Sequence, residues 1–251
     1  MEWFDRNFMQ ANPEKFQAIF LAPGHKTGPT DFSIDGIDIK PEKTVKLLGI
    51  ELDNRLKFDA QISSMCKKAA KQMNALKRIG HLLDQPGRLA IFRSYILSNF
   101  NYCPLVWHFC SKTNLMKLER IQERALRFVY RDYVSEYRML LERSKLETLH
   151  LSRLRTMATE IYKVASGEAP LFVSSLFHKR ELEYNLRGSN TLDIPGFKTI
   201  TYGKQSLRYA GPKLWNSLPN EFRMATTLKE FRTLIKTWDG AKCSCSICTS
   251  M

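Results

Sequence analysis

The spacing of hydrophobic and polar residues in this chain changes near residue 59. Before that position, apolar runs separated by turn residues predict one short helix followed by strands. The helix is expected at 3–10 and the strands at 16–22, 32–34, 37–39 and 45–53. The pair Asp35-Gly36 between two of these strands is typical of a two-residue hairpin turn. The first strand, 16–22, is apolar except for Gln17 and is expected to be buried.

The first long helical segment begins near Asp59 and has two chemically distinct faces. Its apolar stripe consists of Ile62, Met65, Ala69, Met73 and Leu76. Basic side chains lie near the opposite face, and they are Lys67, Lys71 and Arg78, with Lys68 beside them. Gly80 and the sequence Gln85-Pro86-Gly87 are expected to end this helix. Residues 88–100 predict a second helix that is apolar on most sides.

A third helix, predicted over 114–130, carries the clearest basic stripe of the chain. Its cations are spaced 3, 4, 3 and 4 residues apart, so they fall within about a fifth of the helix circumference. They are Lys117, Arg120, Arg124, Arg127 and Arg131. Five cations on one face repel one another unless an anion meets them. A solvated face with partial salt bridging is the alternative interpretation.

The later part of the chain is also mostly helical. Residues 136–166 predict one or two helices, and the break at 167–170 is followed by a mixed region. Thr227 with Glu230 forms a capping-box pattern. It opens a final amphipathic helix that is expected to include Trp238 and to end at Gly240.

These patterns define an α+β fold in three parts. The expected boundaries are a small β-rich segment 1–58, a mainly α-helical segment 59–165, and a mixed, mostly helical segment 166–251. The first segment has 8 basic and 9 acidic residues and a net charge of −1, whereas the second has 19 and 9 and a net charge of +10. The third has 12 and 7, or +5, which completes the total of +14. Charge concentrated on helices favours a polyanionic partner, although a merely basic surface remains the alternative.

Four short sequences together carry a family resemblance. They are Asn12-Pro13-Glu14-Lys15 before a strand, Leu48-Gly49 followed by Leu52-Asp53, the helical sequence LERIQERALR at 118–127, and Trp215-Asn216-Ser217-Leu218-Pro219 ahead of the closing helix. In this order they resemble the reverse transcriptases of jockey-like, LINE-type non-LTR retrotransposons. The resemblance covers nearly all 251 residues. It assigns them to the end of the palm, the thumb and a C-terminal extension.

The resemblance implies roles for three residues of the first segment. Leu48 and Gly49 match the strand that grips the primer end, and Lys15 matches a lysine thought to help protonate the departing pyrophosphate. Phe16 departs from the pattern, since the family usually has threonine there. The missing Cβ of Gly49 would allow close approach of a primer backbone. A glycine bulge in an ordinary strand is the alternative explanation.

The family's catalytic carboxylates are not found in this sequence. Polymerase palms hold two divalent metal ions, Mg²⁺ in the parent enzyme, with an early-strand aspartate and a Phe/Tyr-Ala-Asp-Asp hairpin. This chain has no adjacent aspartate pair, and Met1 falls after the place where that hairpin would lie. We therefore expect no catalytic residues, no resident cofactor in this segment and no polymerase activity.

Six cysteines raise the question of metal binding. Cys66, Cys103 and Cys110 have apolar neighbours and are predicted to be core residues. The other three form a terminal cluster of Cys243, Cys245 and Cys248. It resembles the Cys/His-rich tail of non-LTR elements and offers three thiolates for zinc, but no histidine lies in the tail. A flexible, oxidisable tail is the alternative. His108 and Cys110 are two residues apart, and a core placement is favoured over a nucleophile–base pair.

The sequence leads to two functional hypotheses. The first is a truncated, retrotransposon-derived reverse transcriptase (RNA-directed DNA polymerase) remnant that binds RNA, DNA or an RNA–DNA hybrid non-specifically. The expected phosphate contacts are Lys67, Lys68, Lys71, Arg78, Lys117, Arg120, Arg124, Arg127 and Arg131. The second is a basic helical interaction module with an acidic protein partner. No long apolar run or signal-peptide pattern occurs, so we expect no membrane association and a nuclear or cytoplasmic location.

Overall fold

The α+β class predicted from the sequence is confirmed by the architecture, which places short strands first and helices after them. The computed structural model describes residues 2–10, 12, 15–21, 32–34, 36–180 and 190–240. The chain divides into two compact units, residues 1–63 and 64–251. The further boundary expected near residue 165 stays a prediction.

Short strands dominate the first unit. In the described part of this unit, one helix, α1 (Glu2–Arg6), is followed by six strands. They are β1 (Ala18–Ile19), β2 (Phe32–Ile34), β3 (Ile37–Ile39), β4 (Pro41–Glu42), β5 (Thr44–Leu47) and β6 (Ile50–Asp53). Strand β1 pairs in parallel with β4, while β2–β3 and β5–β6 are antiparallel hairpins. The prediction of a buried strand over 16–22 was wrong in length and burial, because only two residues pair and both are half-buried. Helix α1 likewise ends at Arg6 rather than at residue 10.

The first hairpin agrees with its sequence pattern. Ile34 lies opposite Ile37, so two residues form the turn. Gly36 has a φ of 77°, a left-handed conformation that glycine adopts without the clash a Cβ would cause. The prediction of a two-residue hairpin between β2 and β3 is confirmed.

The second hairpin corrects the prediction of one strand over 45–53. Leu47 pairs with Ile50, so the chain reverses at Leu48 and Gly49. Both turn residues have positive φ, 47° for Leu48 and 83° for Gly49. Two-residue turns of this kind require left-handed backbone at both central positions because their twist then matches that of the strands. Gly49 is therefore a turn residue and not a bulge within a strand.

Asp53 organises the chain that leads from β6 to the long helix α2 (Asp59–Ile79). Its carboxylate accepts hydrogen bonds from the backbone N–H groups of Arg55, Lys57 and Phe58, at 3.0, 3.0 and 2.6 Å. The apolar stripe predicted for this helix is buried along its whole length. The helical period alone was enough to identify that face.

The two helical segments after α2 differ from the prediction in their boundaries. The sequence Gln85-Pro86-Gly87 begins helix α3 (Gln85–Ile91) instead of ending α2, because Asp84 caps it by accepting from the N–H of Gly87 at 2.8 Å. Proline fits this first turn, where its missing N–H is not needed. The expected helix over 88–100 is interrupted by a π-helical turn, Phe92–Ile96, before α4 (Ser98–Asn101).

Arg88 is an unexpected member of this core, since only 6% of it is exposed. Its guanidinium donates to the carbonyl oxygens of Val129 at 3.0 Å, Leu83 at 2.7 Å and Gly80 at 3.4 Å. These carbonyls lie at or beyond helix ends, where intrahelical donors are lacking. The buried cation thus satisfies backbone groups that would otherwise have no partner.

Three helices form the middle of the second unit: α5 (Lys112–Tyr130), α6 (Tyr137–Ser144) and α7 (Leu149–Ser166). Glu119 of α5 is 5% exposed and accepts from the N–H groups of Leu149 at 3.2 Å and His150 at 2.8 Å. A carboxylate at a helix N-terminus satisfies free donors and complements the helix dipole. Tyr137 donates its hydroxyl to the same carboxylate at 3.1 Å. Burial, together with the charge of Glu119, raises the pKa of the Tyr137 phenol.

Aromatic residues fill the core of the C-terminal region. Trp215 and Phe231 are fully buried, and Phe231 stacks on Tyr162 of α7 with ring centroids 4.5 Å apart. The remaining helices are α8 (Leu171–Ser174), α9 (Leu207–Ser217), α10 (Asn220–Arg223) and α11 (Leu228–Ile235), with a π-helical turn at Ile200–Lys204. Trp238 is buried but lies beyond the end of α11, which corrects the predicted helix end at Gly240.

The capping pattern at α11 is confirmed in part. Thr227 accepts from the N–H of Glu230 at 3.2 Å, as the capping box predicts. The carboxylate of Glu230 accepts instead from the N–H and hydroxyl of Thr226, at 2.8 and 2.9 Å. These hydrogen bonds lower the pKa of Glu230.

The cysteines of the described region differ in environment. Cys110 is buried and Cys66 is half-buried, but Cys103 is exposed, so its predicted core placement was wrong. Cys103 follows α4 in the left-handed conformation, with a φ of 45°, in a connection that faces solvent. None of the helices in the described ranges is long and apolar enough to span a membrane.

Candidate nucleic-acid interface

Helix α2 shows cations on the face opposite its buried stripe. Lys67, Lys71 and Arg78 are exposed there, and Lys68 is exposed beside them. None of these four side chains makes a hydrogen bond or an ion pair with a described residue. Their charges are therefore available to an external anion.

Helix α5 buries one face and exposes most of its basic stripe. Arg120 and Arg124 are exposed and make no ion pair with another described residue. Lys117 is exposed as well, although its ammonium donates to the Asn114 side chain at 2.9 Å. Like charges four residues apart on a helix repel by a few tenths of a kcal/mol, so an anion bound across Arg120 and Arg124 would be stabilising.

Arg127 differs from the other members of the stripe. Its guanidinium forms an ion pair with Glu123 at 2.8 Å and donates to the carbonyl of Ser135 at 3.0 Å. Its side chain is only 22% exposed. The residue ties α5 to the following loop and offers less of its charge to a ligand than its position in the sequence implied.

The loop after α5 is held by Asp132. Its carboxylate accepts from the N–H and the hydroxyl of Ser135 at 2.9 and 2.7 Å, and it pairs with Arg143 at 2.7 Å. These hydrogen bonds, with that of the Val134 N–H, lower its pKa to about 2. Arg131, which begins the loop in a left-handed conformation with φ 52°, is exposed at the end of α5. Arg131 is thus the last member of the stripe, one turn after Arg127 and outside the helix itself.

The chain directly after α2 approaches α5. A Cβ built on Gly80 would lie 2.5 Å from the Phe128 ring, so there is little space between the two segments at that point. The charge of Lys117 on α5 lowers the thiol pKa of Cys66 on α2, although burial has the larger effect and raises that pKa overall. Both helices belong to the mainly helical part of the chain that carries most of the positive charge.

Helix α2 exposes one cation that the sequence reasoning did not include. Lys77 is exposed and lies eleven residues after Cys66, which is close to three full turns of helix, so it lies on the same side of α2 as Cys66. Helical spacing did not select it, because it lies off the face that carries Lys67, Lys71 and Arg78.

The residues matched to a primer grip lie in the first unit. Leu48 is 83% exposed at the tip of the β5–β6 hairpin, next to Leu47 at 58%. A leucine in left-handed backbone costs about 1 kcal/mol or more, and its apolar side chain gains nothing from exposure. Lys15 is also exposed, and its N–H donates to the carbonyl of Asn12 at 3.1 Å. The roles of Leu48, Gly49 and Lys15 stay predictions.

The remaining candidate sites have different outcomes. His108 and Cys110 are both buried, which confirms the core placement. The His108 ring stacks on that of His150 with centroids 6.0 Å apart. Within the described ranges, no group of three His, Cys, Asp or Glu side chains is arranged to hold a metal ion. The terminal cluster of Cys243, Cys245 and Cys248 lies outside the described residues, and its zinc site stays a prediction.

Comparisons with protein-family models, with curated protein sequences and with solved structures gave no match to this chain.

Proposed function

We propose that this protein binds nucleic acid non-specifically through the adjacent basic faces of α2 and α5. The observation that carries the proposal is that Arg120 and Arg124 are exposed, one helical turn apart and unpaired with any described residue. Helix α2, whose end approaches α5 at Phe128, adds four exposed cations that are also unpaired with any described residue. Binding of a row of phosphates to such a surface is favourable, because each phosphate that a lysine or arginine neutralises releases condensed counterions.

The proposal includes an origin in a retrotransposon reverse transcriptase. The support is the order of motifs in the sequence, from the Lys15 segment through the Leu48-Gly49 turn to the Trp215 segment. In that interpretation the chain binds RNA, DNA or their hybrid and does not polymerise. The terminal cysteines would add a zinc site to the same binding module.

The test is the salt dependence of binding to a duplex of about 20 base pairs, followed by fluorescence anisotropy. If six side chains of α2 and α5 contact phosphates, the slope of log K against log salt is about −5 on duplex DNA. Arg120→Ala with Arg124→Ala should reduce the magnitude of that slope by about 2. Affinity at fixed salt should fall by about tenfold for all sequences alike.

The matched control removes the same charge elsewhere. Lys213→Ala with Lys229→Ala changes two exposed lysines of α9 and α11 and should leave the slope almost unchanged. A wild-type slope near zero would overturn the proposal. Equal binding to polyglutamate and to nucleic acid of the same charge would instead support an acidic protein partner.

A further inference from the structure

A second polar site lies in the second unit, away from the basic stripe of α5. A cavity of about 530 Å³ opens between the end of α6, the start of α7 and the neighbouring ends of α4 and α11. Its volume lies within the range of roughly 300–1,000 Å³ that is usual for small-molecule pockets. Gln122 reaches it from the buried side of α5, opposite Arg120 and Arg124.

Gln122 supplies the most informative atom of this cavity. The residue is 1% exposed, and its Nε2 donates to the carbonyl of Glu147 at 2.7 Å. Because a carbonyl can only accept, this bond fixes which end of the amide is the oxygen. That Oε1 atom is buried and accepts no hydrogen bond from a described residue. Buried acceptors in folded proteins nearly always receive a bond, and no described residue supplies one to this oxygen.

The charges around the cavity favour an anion. Lys145, at the left-handed end of α6, and Lys236, after α11, are exposed lining residues. Neither forms an ion pair with a described residue. Arg155 pairs with Glu147, and both line the cavity too. These four charged residues give the lining a formal charge of +2. Because Arg155 and Glu147 neutralise each other, this positive charge comes from the two lysines.

The Arg155–Glu147 pair also makes the cavity wall rigid. Arg155 donates from Nε to the carbonyl of Trp238 at 3.1 Å, which ties the segment after α11 to α7. Burial raises the pKa of Glu147, and Arg155 opposes that effect. The wall is therefore preformed, whereas the two lysines remain able to adjust.

The apolar part of the lining narrows the ligand class. Leu97, Leu146 and Leu149 line the cavity beside the polar groups. Leucine side chains favour a flat, poorly hydrated body over a sugar, and the cavity is much larger than a phosphate ion needs. A ligand that matched this lining would combine a doubly charged anion, an apolar body and an N–H donor for Gln122.

We propose that this cavity binds a nucleoside monophosphate group, with its base beside the leucines, a base N–H directed to Gln122 Oε1, and its phosphate at Lys145 and Lys236. Phosphate monoesters carry about −1.5 to −2 charges at neutral pH, which matches the surplus of the lining. The group could be a free nucleotide or the 5′-phosphorylated end of a strand. The site is independent of the α2–α5 surface.

The first experiment is calorimetric titration of the full chain with AMP, CMP, GMP and UMP, compared with adenosine, ribose 5-phosphate and inorganic phosphate. Binding of at least one monophosphate is expected. Its affinity should exceed those of its nucleoside and of ribose 5-phosphate by about tenfold each, since each lacks one of the two binding elements. Absence of binding by all four, or equal affinity for inorganic phosphate, would overturn the proposal.

Variants assign the binding to this cavity. Lys145→Gln with Lys236→Gln should weaken monophosphate binding about tenfold, and these exposed changes leave the core intact. Gln122→Met should weaken it about fivefold, with thermal unfolding as the check on folding. Lys213→Gln with Lys229→Gln is the charge-matched control and should have no effect. Arg120→Ala with Arg124→Ala should also leave it unchanged, which separates this site from the proposed nucleic-acid surface.

The source of the nucleotide follows from competition. If a 5′-phosphorylated oligonucleotide displaces the mononucleotide and its 5′-hydroxyl form does not, the site accepts strand ends. If neither displaces it, the ligand is the free nucleotide. Displacement that the lysine variants leave unaffected would place the binding elsewhere and overturn the assignment.

Discussion

Single buried polar residues connect the helices of the second unit. Glu119 joins α5 to the start of α7 and to Tyr137, and Arg88 donates to three carbonyls from two chain segments. Such residues are expensive to bury alone, and each is stabilised here by several hydrogen bonds. They determine how neighbouring helices are joined, while the apolar stripes determine only which faces are buried.

Glu119→Ala should lower the free energy of unfolding by about 3 kcal/mol, because it leaves two buried N–H groups and one hydroxyl without an acceptor. Urea denaturation followed by circular dichroism measures this as a lower midpoint with an unchanged slope.

The neighbouring Glu123→Ala is the matched control for Glu119. It breaks the partly exposed ion pair with Arg127 and should cost only about 0.5 kcal/mol. Similar losses in the two variants would show that the cap of α7 is not the stabilising feature.

At the scale of elements, turns and caps caused the main differences from the sequence prediction. An apolar run with a central glycine has the period of one strand, yet positive φ at Leu48 and Gly49 makes it a hairpin. The sequence Gln85-Pro86-Gly87 is compatible with either the end or the start of a helix. It starts α3 because the Asp84 side chain caps that helix. A pattern of hydrophobicity carries no information on the sign of φ, so such differences are expected.

Leu48→Asn should stabilise the β5–β6 hairpin by about 1 kcal/mol, because asparagine tolerates left-handed backbone better than leucine does. Gly49→Ala should destabilise it by about 1–2 kcal/mol for the opposite reason. Hydrogen exchange of the amides of Thr44–Leu47 and Ile50–Asp53 reports the local change.

The control for this pair is Leu47→Asn, the same substitution one residue earlier. Leu47 lies in strand β5, so asparagine should bring no gain there. If Leu47→Asn stabilised the hairpin as much as Leu48→Asn, the turn conformation would not be the cause.

At the scale of the whole molecule, the two units differ in how much core they have. Among the residues that the structure describes, the fully buried large side chains are almost all in the second unit, with Ile62 the exception. The first unit has strands of two to four residues and exposes several apolar side chains. They include Trp3, Phe8, Ile34 and Leu48. Short strands with few buried neighbours open at low free energy.

Native-state hydrogen exchange should therefore find the amides of β5 and β6 at least about 100-fold less protected than those of α5 and α7, or about 3 kcal/mol. Both sets are measured in the same full-length protein, so each serves as the reference for the other. Equal protection would mean that the first unit unfolds only together with the second.

The candidate nucleic-acid surface was predictable in part. Helical spacing alone placed Lys67, Lys71 and Arg124 on solvent faces, and the structure agrees. Helical spacing could not show that Arg127 pairs with Glu123 and donates to the Ser135 carbonyl. The carbonyl lies near Arg127 only because of the conformation of the loop after α5. Helical spacing also did not select Lys77, which is exposed but lies off the face of Lys67, Lys71 and Arg78.

The sequence by itself determined the α+β class, the buried stripe of α2, the buried side of α5 and the concentration of positive charge on helices, because these depend on local period and composition. Only the tertiary structure decided that the end of α2 approaches α5 at Phe128, that Glu119 caps α7, and that Gln122, Lys145 and Lys236 line one cavity. Those pairings join residues far apart in the chain. Such long-range pairings depend on tertiary packing, and they cannot be predicted from the hydrophobic period of a single segment.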